Sequence, residues 1–152
     1  FNNVSTKILN SVEKDKKQVS MIMMDVDLFK GLNDTHGHQI GDVVLQQAVE
    51  VCKSLLRDKD VIGRVGGEEF SIVLPETTLE EAAKIAERIR LAIENIKIQN
   101  NGHTVQTTVS LGVASSAQVD TGTLDDLIQL SDQALYRAKA DGRNCVRVYN
   151  HY

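Results

Sequence analysis

Residues 19–24 read Val-Ser-Met-Ile-Met-Met, a run with no polar face in a helical or an alternating register. It is too short for an ordinary helix and fits a strand buried on both faces. It breaks off at Asp25-Val26-Asp27, so two carboxylates stand where a covered strand ends.

The other elements follow from periodicity. Val4, Ile8 and Val12 recur at helical spacing, which predicts a helix over residues 1–18. Val43, Val44, Leu45, Ala48, Val49, Cys52, Leu55 and Leu56 mark one face of a second helix. Residues 61–65 and 70–74 read as strands around the turn Gly66-Gly67-Glu68-Glu69, with Pro75 ending the second. Thr78-Leu79-Glu80-Glu81 reads as a capping box that opens a helix burying Ala82, Ile85, Ala86, Ile89 and Ile93. Val105 to Ala114 predicts a fourth strand. A last helix opens at Thr123 and stops at a left-handed Gly142, and residues 145–149 read as a closing strand.

This order, β-α-β-β-α-β and then α-β, predicts an α+β domain with a ferredoxin-like core and one extra C-terminal helix and strand. A right-handed crossover sets strand one parallel to strand two, with strand three between them. The end of strand one then lies beside the tip of the two–three hairpin. Asp25, Asp27, Glu68 and Glu69 are therefore expected to converge on one edge of the sheet. Crowded carboxylates repel unless a cation neutralises them, and their oxygens suit Mg²⁺ or Mn²⁺. Gly66 and Gly67 give a bend that a phosphate can approach closely. The residues thus point to metal-assisted chemistry on a nucleoside triphosphate. A solvated strand end with an ordinary glycine turn would show the same residues.

Composition sets the frame. The 152 residues are 41% apolar and 25% charged, with one Pro, the mix of a single globular domain. The formal charge of −4 argues against a nucleic-acid backbone or an anionic membrane surface as partner. No apolar run approaches the roughly 18 residues of a membrane span, and the start carries no signal-peptide pattern. Cys52 and Cys145 stand in no metal-ligand spacing and fit a reducing compartment, so a cytoplasmic protein, or the cytoplasmic domain of a larger, membrane-anchored one, is expected.

Several linked motifs carry a family resemblance over about residues 19–148. Asp25-Val26-Asp27-Leu28-Phe29-Lys30, Asn33-Asp34 and Gly37-His38 to Gly41-Asp42 resemble the first signature of the GGDEF-domain family. Arg64-Val65-Gly66-Gly67-Glu68-Glu69-Phe70 resembles its defining motif in the GGEEF form. Val109 to Val113, Ala134-Leu135-Tyr136 to Lys139, and Gly142-Arg143-Asn144 are similar to its later signatures. The resemblance implies a diguanylate cyclase, making cyclic di-GMP and two pyrophosphates from two GTP, on a fold like the palm of nucleotide cyclases. Residues 1–152 are accordingly read as one such domain. The resemblance places an Asp-x-Leu-Thr-Gly-Leu-x-Asn-Arg stretch and a sensory or receiver domain upstream, neither of them within these residues.

The site residues it implies are as follows. Asp25, the Val26 carbonyl, Glu68 and Glu69 hold Mg²⁺ or Mn²⁺, and Glu69 either joins a second metal or helps deprotonate the 3′-hydroxyl. Which acid acts as base stays open. Asn33 and Asp42 read guanine, with His38 near the base. A carboxylate can accept from both N1–H and N2–H₂ of guanine, whereas adenine presents an acceptor at N1. Asp42 also reads as the N-cap of the following helix. Backbone amides of Leu28, Phe29 and Lys30, with Gly67, approach the phosphates, and Lys139 and Arg143 grip them. Arg57 and Asp60, in the pattern Arg-x-x-Asp, and Arg88 form an allosteric site for the product. A homodimer is implied because the product is two-fold symmetric. The alternative is a catalytically silent module that binds GTP or cyclic di-GMP and signals to a partner.

Overall fold

The computed structural model describes residues 18–119 and 123–150. The helix expected over residues 1–18 lies, apart from Gln18, outside them.

β1 (Val19–Val26) is the central strand, buried along its whole length. Its even positions, Ile22, Met24 and Val26, join one core cluster, while Val19, Met21 and Met23 join another. Two helices separate β1 from its parallel neighbour two places away in the sheet. α1 (Phe29–His36) and α2 (His38–Leu55) come first, then β2 (Val61–Arg64) and β3 (Glu69–Pro75). α3 (Leu79–Glu94) follows, capped by the Thr78 side chain, which accepts from the Glu81 N–H. β4 (Ile98–Asn100) and β5 (His103–Val105) form a small separate hairpin. β6 (Val109–Ser115), α4 (Leu124–Ala140) and β7 (Val146–Val148) close the domain.

The main sheet has the order β2-β3-β1-β6-β7. β3 and β6 both run antiparallel to β1, and β7 runs parallel to β6. The fold is α+β, with β3 between the parallel pair β1 and β2 as the crossover argument requires. α2 and α3 cover one face with Val44, Leu45, Ala48, Ala86, Ile89 and Ile93. α4 covers the other through Leu127 and Leu135. Each such large side chain contributes about 1.5–3 kcal/mol by leaving water.

Three expectations are corrected. A helix not read from the sequence, α1, follows β1 directly; it is only two turns long and buries none of its residues fully, although Phe29 and Leu32 pack against the core. α2 therefore starts at His38 behind Gly37, which is at φ +92°, and Asp42 sits in its second turn rather than at its N-cap. The strand expected from Val105 begins at Val109, because Val105 pairs back onto Ile98 in the small hairpin.

α4 lies against β6 with almost nothing between them. A side chain at Gly112 would stand 2.2 Å from the backbone of Ser131 and Leu135, so only glycine permits this approach. The helix ends in a Schellman motif: Arg143 N–H donates to Ala138 O at 3.0 Å and Gly142 N–H to Lys139 O at 3.4 Å. Gly142 is at φ +115° there, in the left-handed stop expected of it.

Candidate active site

Asp25 and Glu69 are facing residues on β1 and β3. Both lie on the α4 side of the sheet, in step with Met23 and Ser71 behind them. Asp25 is buried and forms an ion pair with Lys139 from the last turn of α4. Asp132, two turns earlier on the same face of α4, lies beside the Glu69 carboxyl. Burial first, then Asp132 and Asp25, push the Glu69 carboxyl above the usual range, and Lys139 pulls it partly back. Only its seven-residue spacing from Lys139, two helical turns, marks Asp132 in the sequence.

Glu68 joins the edge through its backbone: its carbonyl accepts the Val26 N–H at 3.1 Å, and its side chain is half-buried. The bend at Gly66-Gly67 is held by Arg64, whose Nε donates to both carbonyls at 3.1 and 3.0 Å. Asp27 departs from the expected convergence. β1 ends at Val26, and the Asp27 carboxylate accepts from Thr108 Oγ1 at 2.7 Å, Ser110 Oγ at 2.6 Å and the Asn144 N–H at 3.0 Å. It is a buried anchor, not a member of the acidic edge.

The acidic edge offers only oxygen donors, the type a hard cation prefers. Among the described residues no three carboxylate, imidazole or thiol groups gather closely enough to hold a metal by themselves. Mg²⁺ is commonly held by one or two carboxylates and completed by substrate phosphates and water. Burial, with the neighbouring Asp132 and Asp25 carboxyls, raises the Glu69 carboxyl, and a cation at this edge would act in the opposite direction.

The next segment offers backbone donors. Leu28 is 70% exposed in a left-handed conformation at φ +53° and directly precedes α1. The first N–H groups of α1, from Phe29 and Lys30 onward, carry the positive end of the helix dipole. Lys30 is exposed. Arg143 is exposed at φ +63°, beyond the end of α4 that carries Lys139.

On the other side of α1, Asn33 Oδ1 is buried without a hydrogen-bond partner. A buried acceptor without a donor costs free energy. Asp42, one residue after the Gly41 that faces Asn33, is exposed and lines a groove of about 700 Å³ with Gln46, Arg64 and Phe70. His38, the first residue of α2, is exposed.

Arg57, Asp60 and Arg88 are not part of this site. Arg57 forks onto Asp60, with Nε to Oδ2 at 3.1 Å and Nη2 to Oδ1 at 2.8 Å. The same guanidinium donates to Pro75 O at 2.9 Å and Thr77 Oγ1 at 2.6 Å. The pair therefore sits at the far end of β3 from Glu69, about 20 Å away at strand spacing. Asp60 is almost fully buried, and Arg88 is exposed on α3.

Among the described residues no helix is long and apolar enough to cross a membrane. A family model described as diguanylate cyclase, GGDEF domain, matches residues 1–145. Diguanylate cyclase A of Treponema denticola is 40% identical over 138 residues, covering 91% of this chain and 37% of that protein. The probable diguanylate cyclase DgcT of Escherichia coli is 37% identical, covering 92% of this chain and 31% of that one. The chain thus spans about a third of the length of such relatives. The active GGEEF domain of a Vibrio cholerae diguanylate cyclase superposes with a TM-score of 0.91 at 33% identity, covering 99% of this chain and 95% of that one. The GGDEF domain of DgcB from Caulobacter crescentus, solved with cyclic di-GMP, superposes at 0.93 with 27% identity, covering 99% and 86%. With its α+β sheet and its acidic edge, this chain belongs to the diguanylate cyclase GGDEF-domain family.

Proposed function

We propose that this chain is the catalytic domain of a diguanylate cyclase and condenses two GTP into cyclic di-GMP with release of two pyrophosphates. The observation that carries the reading is the facing pair Asp25 and Glu69, with Lys139 on Asp25, at the end of the central strand.

Asn33 Oδ1 accepts from the exocyclic amine of guanine, and Asp42 accepts from its N1–H edge, which adenine lacks. The backbone N–H groups of Leu28, Phe29 and Lys30, with the open bend at Gly67, take the β- and γ-phosphates. Lys139 and Arg143 neutralise them. Asp25, the Val26 carbonyl and Glu68 hold Mg²⁺ or Mn²⁺, with Glu69 beside them. A cation held there would neutralise phosphate charge and make the nearby 3′-hydroxyl easier to deprotonate. Glu69, with its raised carboxyl, is the group suited to accept the 3′-hydroxyl proton. The 3′-oxygen forms a bond to the α-phosphorus of the facing substrate as the bond to the β-phosphate oxygen breaks.

One chain supplies half of this arrangement. The two-fold symmetry of the product calls for a second copy facing the first, each positioning its own GTP. Arg57 and Asp60, with Arg88, form a separate product-binding site that inhibits by holding copies apart. In the longer protein, an upstream sensory or receiver domain governs how the copies meet.

The test is incubation of the purified chain at high concentration with GTP and Mg²⁺, with products identified by mass spectrometry. Cyclic di-GMP is expected from the wild type and none from Glu69→Gln or Asp25→Ala. Tight GTP binding without turnover at any protein concentration would replace this reading with the silent binding module.

A further inference from the structure

Two strained turns meet at one carboxylate. Gly142, Arg143 and Asn144 follow one another at φ +115°, +63° and +47°, three left-handed residues in a row. Leu28 is left-handed as well, and its side chain is too exposed to be held by packing. Such conformations persist only where their surroundings over-determine them. Asp27 directly precedes Leu28, and its Oδ2 accepts the Asn144 N–H.

The carboxylate is saturated by neutral donors. Oδ1 takes the Ser110 hydroxyl, and Oδ2 takes the Thr108 hydroxyl together with the Asn144 amide. The Asp27 N–H donates in turn to Thr108 O at 2.9 Å. Both Asp27 and the start of β6 are thereby fixed. The Asn144 side chain faces the other way: its Oδ1 accepts from Arg90 at 2.9 Å and its Nδ2 donates to Glu94 at 2.6 Å. The second turn is thus pinned to α3 by its Asn144 side chain and, by its backbone, to Asp27 just past the end of β1.

We propose that Asp27 is a positioning residue that fastens the turn carrying Arg143 to the turn carrying Leu28, and so sets the spacing between the cationic and backbone-amide parts of the triphosphate site. This rests on the phosphate role given to those residues above. Asp27 touches no substrate. Its work is done before substrate arrives, as preorganisation of two segments that are far apart in sequence. Its negative charge suits it to hold an amide in a strained turn, because charge-assisted hydrogen bonds are the stronger kind.

The test separates the β- and γ-phosphates from the rest of the nucleotide. 3′-Deoxy-GTP lacks the attacking hydroxyl and reports binding without turnover, and GMP lacks the two outer phosphates. Asp27→Asn is expected to weaken 3′-deoxy-GTP about ten-fold or more while GMP affinity changes less than about two-fold. Thr108→Val, which leaves the Asn144 bond in place, is expected to lower the melting temperature and to keep the wild-type ratio of the two affinities. In the free wild type, the Asn144 amide is expected to exchange slowly with solvent before any nucleotide is added. Equal weakening of both ligands by Asp27→Asn, an unchanged 3′-deoxy-GTP affinity, or fast Asn144 exchange in the free protein would each overturn the clamp alone. A wild type that binds 3′-deoxy-GTP no better than GMP would overturn the phosphate reading and the clamp with it. The exchange measurement needs no variant and stands even if Asp27→Asn does not fold.

Discussion

Gly41 lies directly against Asn33: a Cβ at Gly41 would stand 1.8 Å from Asn33 Oδ1 and 3.1 Å from Phe29 Cζ. The glycine is therefore what keeps the orphaned Asn33 oxygen in its buried position between α1 and α2. Gly41→Ala is expected to expel the Asn33 side chain and to lower stability by about 1–3 kcal/mol. GTP affinity should fall further than stability alone explains, because the acceptor for the guanine amine is lost. Calorimetric titration with GTP and with ATP checks this: the preference for GTP should narrow.

Glu69 gives a pH prediction. Burial, Asp132 and Asp25 raise its carboxyl above the ordinary value of 4.5. A raised acid binds its proton more tightly when folded than when unfolded. Its contribution to stability is then full below the ordinary value and is lost as pH rises through the raised one. In metal-free buffer Glu69→Gln should melt higher than wild type at about pH 8 and show no gain near about pH 4. Added Mg²⁺ or Mn²⁺ should raise the wild-type melting temperature and leave the variant closer to its metal-free value. Equal melting of the two proteins across this range would show that Glu69 carries no uncompensated charge.

Gly112→Ala should damage the domain as a whole. The added carbon would meet the backbone of α4, not the end of a flexible side chain, so the helix must move. The expected cost is about 3 kcal/mol, read as a lower urea midpoint with little change in slope. Because α4 carries Lys139 and Asp132, turnover should fall even where the variant remains folded.

Arg57→Ala should do two separable things. It removes the donors that serve Asp60, Pro75 and Thr77, so stability should drop by about 1–2 kcal/mol. It should also relieve inhibition by added cyclic di-GMP. Arg57→Lys should restore little of either, since an ammonium cannot fork onto Asp60 while reaching the end of β3. Inhibition curves with and without product, beside chemical melts, resolve the two effects.

Much of the scaffold can be read directly from the residues. Val19 to Met24 are apolar except at Ser20, and chirality then dictates that β3 lies between β1 and β2. That already brings Asp25 next to Glu69. What escapes such reading are elements without an apolar period. α1 contains Gly31, Asn33, Asp34 and Thr35, weak helix formers, and buries no residue fully. The β4–β5 hairpin has three-residue strands, yet Asn101-Gly102 at φ +51° and +80° is strong hairpin chemistry and could have revealed it. Asp27 misled for a different reason. Alternation puts it on the same side as Asp25, but there the Thr108 and Ser110 hydroxyls and the Asn144 N–H take up its carboxylate. Asp132 is invisible because its partner Glu69 is 63 positions earlier in the chain, joined to it only through the packing of α4.

The bare contact at Gly112 bears on how such a domain is switched. Where helix and sheet touch backbone to backbone, there is no cushion of side chains that can repack to let one slide over the other. Lys139 and Asp132 are thus carried on the same solid piece as Asp25 and Glu69, like teeth cut into one block. A signal cannot adjust this half of the machinery by nudging α4. It has to act on something the block meets, by changing what is brought face to face with it.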